Sequence, residues 1–567
     1  MIKNLREMLY RSAENYGDRI AYKIRDGKNA YKLYTYTDVK NMVNALGTKF
    51  IDMGLKNKRI AIISENRFEW EVSYFSVVCG TGIVVPIDKA LPYNELCSVI
   101  ERSEAEVVVF SEKYTEDFLK IKELDNKLQH LVCMESIERE GVLNFTNLIE
   151  DGEKLLEKGD TRFLDAEIDS EIMNMMLFTS GTTADSKIVA LSHRNLCANL
   201  LDLEKTLDID CNDVFLSVLP IHHVFECMAG FLLPLYNGAQ ITFCDGIRHV
   251  AENLKEYEVT VVSCVPGIYE AIFKSIKLIL AKLGKLDEFL NNQDKYRKMS
   301  MEERKEAFTE IHQFFGNKLK LMISGAAALD KNVEDSYRLL GFNIIQGYGL
   351  TETSPVIAVA NNEFHKVGSV GKKLPSLDVD VIEPNEYGIG ELIVKGPSVM
   401  IEYFGNKEAT DEVLNDGWFK TGDLVRIDEE GYIFICGRKK NVIVLKNGKN
   451  IYPEEMEALI NKIDGVEESM IFGDQKSDDE NDIKINAIIV VNKKFFDENY
   501  FAGETLNDEE FHKRAKDIVR EKIKEINQMM PKYKAIRDII VTVNPLIKTT
   551  TNKVKRQANL DAIRSAK

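Results

Sequence analysis

The sequence lacks the patterns that define several large protein classes. Its nine cysteines are scattered and never form a C-x-x-C pair, so neither a disulfide framework nor a structural zinc site is indicated. No apolar signal-peptide core follows the first residues, and no apolar run is long and uninterrupted enough to span a bilayer. We therefore expect reduced thiols and a cytoplasmic location.

The chain also has fewer basic than acidic residues. The chain carries 74 Lys and Arg against 91 Asp and Glu, for a formal net charge of −17. Such a surface repels the phosphates of nucleic acids, so no nucleic-acid partner is expected. Any polyphosphate ligand must then be held by a local site.

The length of 567 residues, with 44% hydrophobic composition, permits several cores and therefore more than one domain. Short β-branched runs alternate with helical stretches through the first part, which indicates sheets covered by helices. From about 370 to 435 short strands and turns predict a small antiparallel barrel or sheet. The expected fold is α/β, with a large N-terminal domain over residues 1–438, comprising two helix-covered sheets and a small β-barrel, and a small α+β C-terminal domain over residues 439–567.

Residues 178–187, Phe-Thr-Ser-Gly-Thr-Thr-Ala-Asp-Ser-Lys, follow an apolar run and form a candidate phosphate loop. Hydroxyls, backbone N–H groups and a terminal lysine can surround oxyanions. The loop is not a Walker A sequence, because Ser186 and Ile188 stand where that pattern needs Gly and Ser or Thr. By itself, a hydroxyl-rich loop is more often a solvated turn.

Four later segments change that balance: Gly-Tyr-Gly-Leu-Thr-Glu-Thr at 347–353, Trp-Phe-Lys-Thr-Gly-Asp at 418–423, Gly-Arg-Lys-Lys at 437–440 and Lys-Thr-Thr-Thr-Asn-Lys at 548–553. In this order they resemble the core motifs of the adenylate-forming superfamily, which includes acyl-CoA synthetases, luciferases and peptide-synthetase adenylation domains. The resemblance covers about residues 9–560. It implies ATP and Mg²⁺ as cofactors, an acyl-AMP intermediate, and coenzyme A as the usual acceptor.

The resemblance also implies a nucleotide site, in which the 179–187 loop holds the β- and γ-phosphates and residues 324–329 form the adenine turn. Glu352, with Thr182, would bind Mg²⁺. Asp423, assisted by Arg438, would bind the ribose hydroxyls. The implied nucleotide-binding residues are Thr179, Ser180, Gly181, Thr182, Thr183, Lys187, Gly325, Ala326, Ala327, Gln346, Gly347, Tyr348, Gly349, Thr351, Glu352, Asp423, Arg438, Lys440, Gly448 and Lys553.

Lys553 matches the family lysine that bridges the carboxylate and the α-phosphate during adenylation. On composition alone, Lys553 would belong to a solvated basic tail. The resemblance further implies a mobile C-terminal domain that rotates about Lys440, after which the loop around Gly448 replaces Lys553 for thioester formation. The implied catalytic residues are Lys553, Glu352, Lys187, Thr182 and His223.

The phosphate loop departs from the family pattern. Ala184, Ser186 and Ile188 stand where relatives usually carry Gly, Pro and Gly, so we expect a stiffer loop and slower turnover. This departure motivates an alternative hypothesis, in which the chain is a catalytically weak sensor that binds ATP or acyl-adenylate.

Residues 219–226 resemble the Pro-x-x-His-Val-Phe-Glu segment of long-chain acyl-CoA synthetases, which implies a fatty-acid substrate. His223 would be a wall beside the carboxylate, or else a hydrogen-bonded core histidine. Phe225, Val265 and Ile268 are candidate walls for the acyl chain, and the glycines of the 346–350 turn would leave room for it.

Three partners stay open beside the small molecules. An acyl carrier protein is the alternative thiol acceptor, disfavoured by the acidic surface. A helical, amphipathic stretch at about 267–317 could make weak peripheral membrane contact through its apolar and basic face, although packing on its own domain is the favoured interpretation. A homodimer is the third.

Overall fold

The computed structural model describes residues 2–28, 30–179, 186–445, 449–474, 483–504, 506–549 and 553–565. The predicted mixed α/β fold is confirmed. The strands are β1 Ile20–Arg25, β2 Tyr31–Thr35, β3 Lys58–Ile63, β4 Gly82–Pro86, β5 Val107–Phe110, β6 His130–Cys133, β7 Val142–Asn144, β8 Met173–Phe178, β9 Ile188–Ser192, β10 Val214–Ser217, β11 Gln240–Phe243, β12 Val261–Cys264, β13 Leu321–Ser324, β14 Ile344–Gly349, β15 Val356–Val359, β16 Lys372–Lys373, β17 Asp378–Ile382, β18 Gly390–Lys395, β19 Glu402–Tyr403, β20 Leu414–Asn415, β21 Trp418–Ile427, β22 Ile433–Arg438, β23 Ile443–Val444, β24 Asn450–Ile451, β25 Val466–Asp474, β26 Lys484–Val491 and β27 Asp538–Thr542.

Helices separate most of these strands. They are α1 Leu5–Tyr16, α2 Tyr36–Asp52, α3 Phe68–Val78, α4 Tyr93–Ser103, α5 Thr115–Leu124, α6 Phe145–Glu157, α7 His193–Thr206, α8 Val224–Glu226, α9 Leu233–Tyr236, α10 Val250–Glu256, α11 Pro266–Lys282, α12 Leu286–Asn291, α13 Gln293–Arg297, α14 Met301–Ala307, α15 Thr309–Phe314, α16 Lys331–Leu339, α17 Lys407–Val413, α18 Pro453–Ile460, α19 Lys493–Asn499, α20 Asp508–Met529 and α21 Arg556–Ser565.

Two large sheets carry the candidate site. One has nine strands in the order β16-β15-β14-β13-β12-β10-β11-β1-β2, and the other has eight in the order β19-β9-β8-β4-β3-β5-β6-β7. Their central strands pair in parallel, as between β12 and β13 or β3 and β4, while β14 with β15 and β8 with β9 are antiparallel. Parallel strands end on the same side of a sheet, where loops can gather functional side chains.

The central strands are buried on both faces, which explains their apolar sequences. Ile60–Ile63 in β3 and Val107–Phe110 in β5 have almost no exposed surface. Strands covered on both sides have continuous apolar runs rather than alternating ones. These strands are therefore the ones that the sequence predicts most directly.

The strands predicted as a small barrel form a five-stranded sheet. Its order is β17-β18-β21-β20, with β22 paired to β21. A closed β-barrel is not confirmed, and the antiparallel-sheet alternative describes the strands better.

The helical stretch at 267–317 packs mainly on its own domain. It forms α11 to α15, and Ile276, Leu280 and Phe289 are buried in the core that covers the nine-stranded sheet. Leu278 is 65% exposed on the opposite face of α11. No helix in the described ranges combines the length and the apolarity needed to cross a bilayer.

The chain divides into two compact units. The first comprises Met1–Asp380, Ile393–Lys420 and Asp428–Ile433, and the second comprises Val381–Leu392, Thr421–Ile427 and Phe434–Lys567. The second unit contains a three-stranded sheet, β25-β26-β27, whose apolar face packs with α18 and α20 around a core that includes Ile489, Val519 and Ile523. The boundary between residues 438 and 439 stays a prediction.

Candidate active site

The stems of the predicted phosphate loop are held together by backbone and side-chain hydrogen bonds. Thr179 N donates to Lys187 O at 2.9 Å, and Lys187 N donates to Thr179 Oγ1 at 3.1 Å. Both residues extend the antiparallel β8–β9 pair, in which Phe178 lies opposite Ile188. The turn between them, with the predicted phosphate ligands Ser180, Gly181, Thr182 and Thr183, lies outside the described residues.

Arg102 of α4 contacts both stems of this loop. Its guanidinium donates to Ser186 Oγ at 2.7 Å and lies 5.3 Å from the centroid of the Phe178 ring. A second guanidinium nitrogen donates to the Ser186 carbonyl. Ser186 stands where the resemblance leads one to expect proline, so this chain uses a side-chain tether at that position.

Tyr403 brings the loop lysine and Glu352 to one aromatic ring. The Lys187 Nζ atom lies 4.3 Å from the ring centroid, within the range of a cation–π contact. The Tyr403 hydroxyl donates to Glu352 Oε1 at 2.8 Å. A cation suited to phosphate oxygens and a carboxylate suited to a hard metal ion therefore lie near each other.

Tyr403 is a residue that the sequence analysis missed. It lies on the two-residue strand β19, opposite Val189 of β9, and is only 5% exposed. Its backbone N–H also donates to Thr410 Oγ1 at 3.0 Å, which fixes the strand. No motif marks this position, because the pairing that places it joins segments far apart in sequence.

The predicted adenine turn follows β13 and presents small side chains. Ala326 and Ala327 are exposed, and Ala326 adopts a left-handed backbone with φ of 67°. A Cβ on Gly325 would lie 2.7 Å from the Phe225 ring, so any larger residue at this position would have to displace that ring. Phe225, predicted as an acyl-chain wall, is half-buried and packs against the core under this turn.

Gln346 stabilises the same region from within. Its Oε1 accepts from Leu329 N at 3.0 Å and its Nε2 donates to buried Glu334 at 2.9 Å. Both ends of the amide are engaged by the protein and the residue is 3% exposed. Gln346 can therefore position the turn that follows Ser324.

The glycines of the 346–350 turn differ in the space around them. A Cβ on Gly349 would lie 1.8 Å from the Pro355 carbonyl oxygen, whereas a Cβ on Gly347 would have its nearest neighbour, Val359, at 3.7 Å. The interpretation that both glycines leave room for an acyl chain is therefore wrong for Gly349. There the backbone of the neighbouring strand fills the space. Tyr348 and Thr351, also predicted to contact nucleotide, are half-buried beside them.

In the second unit, the predicted ribose-binding pair is assembled. Arg438 Nε lies 2.9 Å from Asp423 Oδ1, and Asp423 is 5% exposed. Arg438 also donates to the Thr421 carbonyl at 3.3 Å. The neighbouring Lys440 is exposed in a short 3₁₀ turn.

Lys553 takes part in backbone pairing with the segment that ends at Thr549. Thr549 N donates to Lys553 O at 2.9 Å, and Lys548 pairs with Val554 as a β-bridge. Lys548 forms an ion pair with Glu468 at 2.6 Å. The backbone of the described part of this segment is therefore ordered, whereas the Lys553 side chain is exposed as the solvated alternative expects. Gly448 lies outside the described residues.

His223 follows β10 and is half-buried next to His222, with ring centroids 4.1 Å apart. Glu226 lies in the short helix α8 that follows them. It accepts from Ser217 Oγ at 2.7 Å, and burial raises its pKa to about 8. A neutral, buried carboxyl thus lies under the loop that carries His223.

A family model described as AMP-binding enzyme matches residues 9–404, and one described as AMP-binding enzyme C-terminal domain matches residues 440–565. The chain belongs to the AMP-binding enzyme family. The predicted relationship to the adenylate-forming superfamily is confirmed, and ATP-dependent chemistry is the common property that this relationship supports.

Several curated AMP-binding relatives are similar over most of the chain. Long-chain-fatty-acid–CoA ligase FadD15 of Mycobacterium bovis is 27% identical over 87% of this chain and 83% of its own length. Fatty acyl-CoA synthetase B of Dictyostelium discoideum is 27% identical over 84% and 76%. A long-chain-fatty-acid–[acyl-carrier-protein] ligase of Arabidopsis thaliana is 26% identical over 85% and 75%.

Solved AMP-binding structures share the fold. The ATP-bound MatB of Rhodopseudomonas palustris superposes with a TM-score of 0.77 at 23% identity and covers 100% of both chains. An anthranilate CoA ligase in complex with anthranoyl-AMP superposes with a TM-score of 0.76 at 20% identity. At this identity the likeness supports the architecture alone.

Proposed function

We propose that this AMP-binding enzyme activates a fatty acid with ATP to an acyl-AMP, releases pyrophosphate, and transfers the acyl group to coenzyme A. The curated relatives named as long-chain acyl-CoA ligases support the substrate class and the acceptor. The proposed acid is a long-chain one.

The contact of Tyr403 with both Lys187 and Glu352 is the observation that carries the proposal. Adenylation needs an anionic carboxylate to approach an anionic triphosphate. The Lys187 cation would reduce this repulsion directly, and Glu352 would reduce it through the Mg²⁺ ion that it would bind. Lys187 would bind phosphate oxygens directly. Glu352 would hold the triphosphate through the Mg²⁺ ion.

Magnesium fits the residues present. Glu352 supplies a hard carboxylate oxygen, and Mg²⁺ commonly takes one or two protein carboxylates and completes its shell with phosphates and water. Thr182 is the second proposed ligand. The ion, when bound, would neutralise charge on the triphosphate and align it.

The remaining roles follow the same proposal. Asp423 and Arg438, which form an ion pair, would hold the ribose hydroxyls, and Ala326 and Ala327 would lie against the adenine. His223 would lie beside the carboxylate of the acid. Lys553 would approach the α-phosphate during adenylation and leave it, by rotation about Lys440, for thioester formation near Gly448.

An acyl carrier protein is the second candidate acceptor, because a curated relative carries that activity in its name. A membrane surface, a homodimer and a cytoplasmic location stay predictions. The sensor hypothesis stays an outcome of the activity test.

The test measures pyrophosphate release over saturated acids of increasing length, then acyl transfer to coenzyme A or to acyl carrier protein bearing its pantetheine arm. The expected result is acid-dependent release and a thioester with coenzyme A. Release with transfer only to the carrier protein would reassign the acceptor, and no release with any acid would favour the sensor.

Lys553→Ala is the variant that tests the adenylation step. We expect acyl-AMP formation to fall by about 10²-fold or more, because one preorganised cation is lost from the developing charge. Lys555→Ala is the matched control, since it removes a neighbouring lysine that carries no proposed role. Equal rates in the Lys553→Ala variant and the parent protein would contradict the mechanism.

A further inference from the structure

Three side chains of metal-binding type meet where strands from the two large sheets end. Asp88 follows β4 of the eight-stranded sheet, whereas His222 and His223 follow β10 of the nine-stranded sheet. One oxygen of Asp88 and one ring nitrogen from each histidine lie within 4.8 Å of one another. Of these residues, the proposed ligase chemistry uses only His223.

His222 gives the strongest indication that this cluster takes a ligand. The residue is 7% exposed, and its Nε2 atom has no hydrogen-bond partner among the described residues. Asp88 Oδ1 lies 3.5 Å away, beyond the usual length of an N–H···O hydrogen bond. A buried ring nitrogen without a partner is costly, and a metal ion at this point would satisfy it.

His222 and Asp88 also have suitable ligand chemistry. Burial, followed by the nearby His223 and Lys89, lowers the pKa of His222 well below its ordinary value. Neutral imidazole is the form that binds metal ions. Asp88 adds a carboxylate, which offsets part of the charge of a divalent ion.

The backbone around the cluster is fixed before any ion binds. Asp88 Oδ1 accepts from Ala90 N at 2.8 Å. On the other side, His223 N donates to Pro220 O at 3.0 Å, and Ile221 N donates to Asn66 Oδ1 at 3.1 Å. These bonds hold the two loops without occupying His222 Nε2.

The donor set selects the class of ion. Two imidazole nitrogens and one carboxylate oxygen suit borderline transition ions such as Zn²⁺ or Co²⁺, whereas Mg²⁺ and Ca²⁺ prefer all-oxygen shells. The three donor atoms now lie within 4.8 Å of one another. Around a tetrahedral ion with donors at roughly 2.1 Å the donors lie about 3.4 Å apart, so the widest pair would close by up to ~1.4 Å. Side-chain rotation can supply that movement.

We propose that Asp88, His222 and His223 form a binding site for a borderline divalent transition-metal ion of the Zn²⁺ type. Its ligands differ from Glu352 and from the other proposed triphosphate-binding groups. Three protein ligands leave at least one coordination position for water or another small oxygen ligand. The proposal does not depend on the proposed function, since it concerns binding alone.

Equilibrium dialysis of the chelator-stripped full-length protein against Co²⁺, with Mg²⁺ in excess, tests the site. The expected result is one saturable equivalent per chain, with the visible absorption of low-coordinate Co²⁺ that Zn²⁺ then abolishes. Asp88→Asn and His222→Gln should each weaken Co²⁺ binding by more than about tenfold. Mutating a residue that merely orients a metal ligand already lowers metal affinity by about 10–100-fold.

His249→Gln provides the matched control. His249 forms an exposed pair with Glu252 at 2.8 Å, so it represents adventitious binding by a surface histidine and a carboxylate. This variant should bind Co²⁺ as the parent protein does. No saturable equivalent in the parent, or equal binding in the Asp88→Asn variant and the parent, would overturn the proposal.

A thermal readout covers the case in which the His222 variant fails to fold. Zn²⁺ should raise the unfolding midpoint of the parent protein by mass action, because only the folded state presents the assembled ligands. Asp88→Asn should remove this increase while keeping a cooperative transition without metal. An undiminished increase in the Asp88→Asn variant would also overturn the proposal.

Discussion

At the scale of single residues, Tyr403 links the two groups on which the proposed chemistry depends. Its ring lies against Lys187 and its hydroxyl donates to Glu352. It would touch neither the carboxylate nor the α-phosphate in the proposed mechanism. Tyr403 is therefore a positioning residue whose effect should depend on its hydroxyl.

Tyr403→Phe tests that role, because it keeps the ring beside Lys187 and removes only the hydrogen bond to Glu352. A hydrogen bond to a charged group contributes about 1.5–3 kcal/mol, so we expect the rate of acyl-AMP formation at subsaturating Mg²⁺ to fall by roughly 10–100-fold. The measurement is pyrophosphate release over a Mg²⁺ titration, in which added Mg²⁺ should restore part of the loss.

Tyr31→Phe is the control for this variant. Tyr31 donates to Glu256 at 2.5 Å, so the change removes the same type of hydrogen bond from the same unit at a position without a proposed role. If the Tyr403→Phe variant kept the Mg²⁺ dependence of the parent protein, the proposed positioning role of Tyr403 would be wrong.

The residues that sequence motifs predicted differ in kind from those that they missed. Lys187, Glu352, Asp423 and Arg438 stand in short ordered segments, and the structure places the first two beside one ring and pairs the last two. Tyr403 has no such segment around it. It reaches the site through strand pairing between distant parts of the chain, which local sequence does not encode.

At the scale of elements, the turn from β14 to β15 depends on a close backbone approach. Gly349 lies opposite Val356 in this antiparallel pair, and a Cβ there would lie 1.8 Å from the Pro355 oxygen. Gly347 lies in the same strand, and a Cβ there would make ordinary van der Waals contact with Val359 at 3.7 Å. The two glycines therefore give a matched comparison.

Gly349→Ala should destabilise the protein by about 1–3 kcal/mol, because the new methyl forces the two strands apart. Gly347→Ala should leave stability unchanged or raise it slightly, since alanine reduces the freedom of the unfolded chain. Unfolding midpoints measured by thermal denaturation give the comparison. Equal loss in both variants would contradict the steric explanation.

Elements were predictable where burial imposed a pattern. The strands β3, β5 and β13 appear as apolar runs because both faces are covered. The two-residue strands β19 and β20 are too short to show an alternating pattern. Their existence follows from the partner strands that pair with them.

At the scale of the whole molecule, stability should depend on pH through a buried carboxyl. Burial raises the pKa of Glu226 to about 8, and burial also raises the pKa of nearby Glu71 well above its usual range. Above pH 4.5 the unfolded chain releases the Glu226 proton, whereas the folded protein keeps it until about pH 8. Since the folded state then binds more protons, stability falls as pH rises through this window.

Glu226→Gln should remove that contribution, because glutamine stays neutral and can still accept the hydrogen bond from Ser217. Relative to the parent protein, the variant should gain up to about 1.4 kcal/mol per pH unit between roughly pH 5 and 8. Unfolding midpoints measured across this range provide the test. Parallel pH profiles for the two proteins would contradict the assignment.

The division of the chain into two compact units could not be predicted in full from the sequence. The second unit takes in Val381–Leu392 and Thr421–Ile427 together with the C-terminal segment. A boundary inferred from a change of pattern along the chain is necessarily a single point. A unit built from separate segments of the chain depends on which strands pair, and the sequence alone does not supply that information.

The contacts of Arg102 with Ser186 and Phe178 couple the two ends of the phosphate loop to helix α4. Proline at 186 would restrict the backbone dihedral of that one residue. Here a side chain of α4 contacts Phe178 and Ser186 instead, so a shift of α4 would release both residues together without any change in the sequence of the loop.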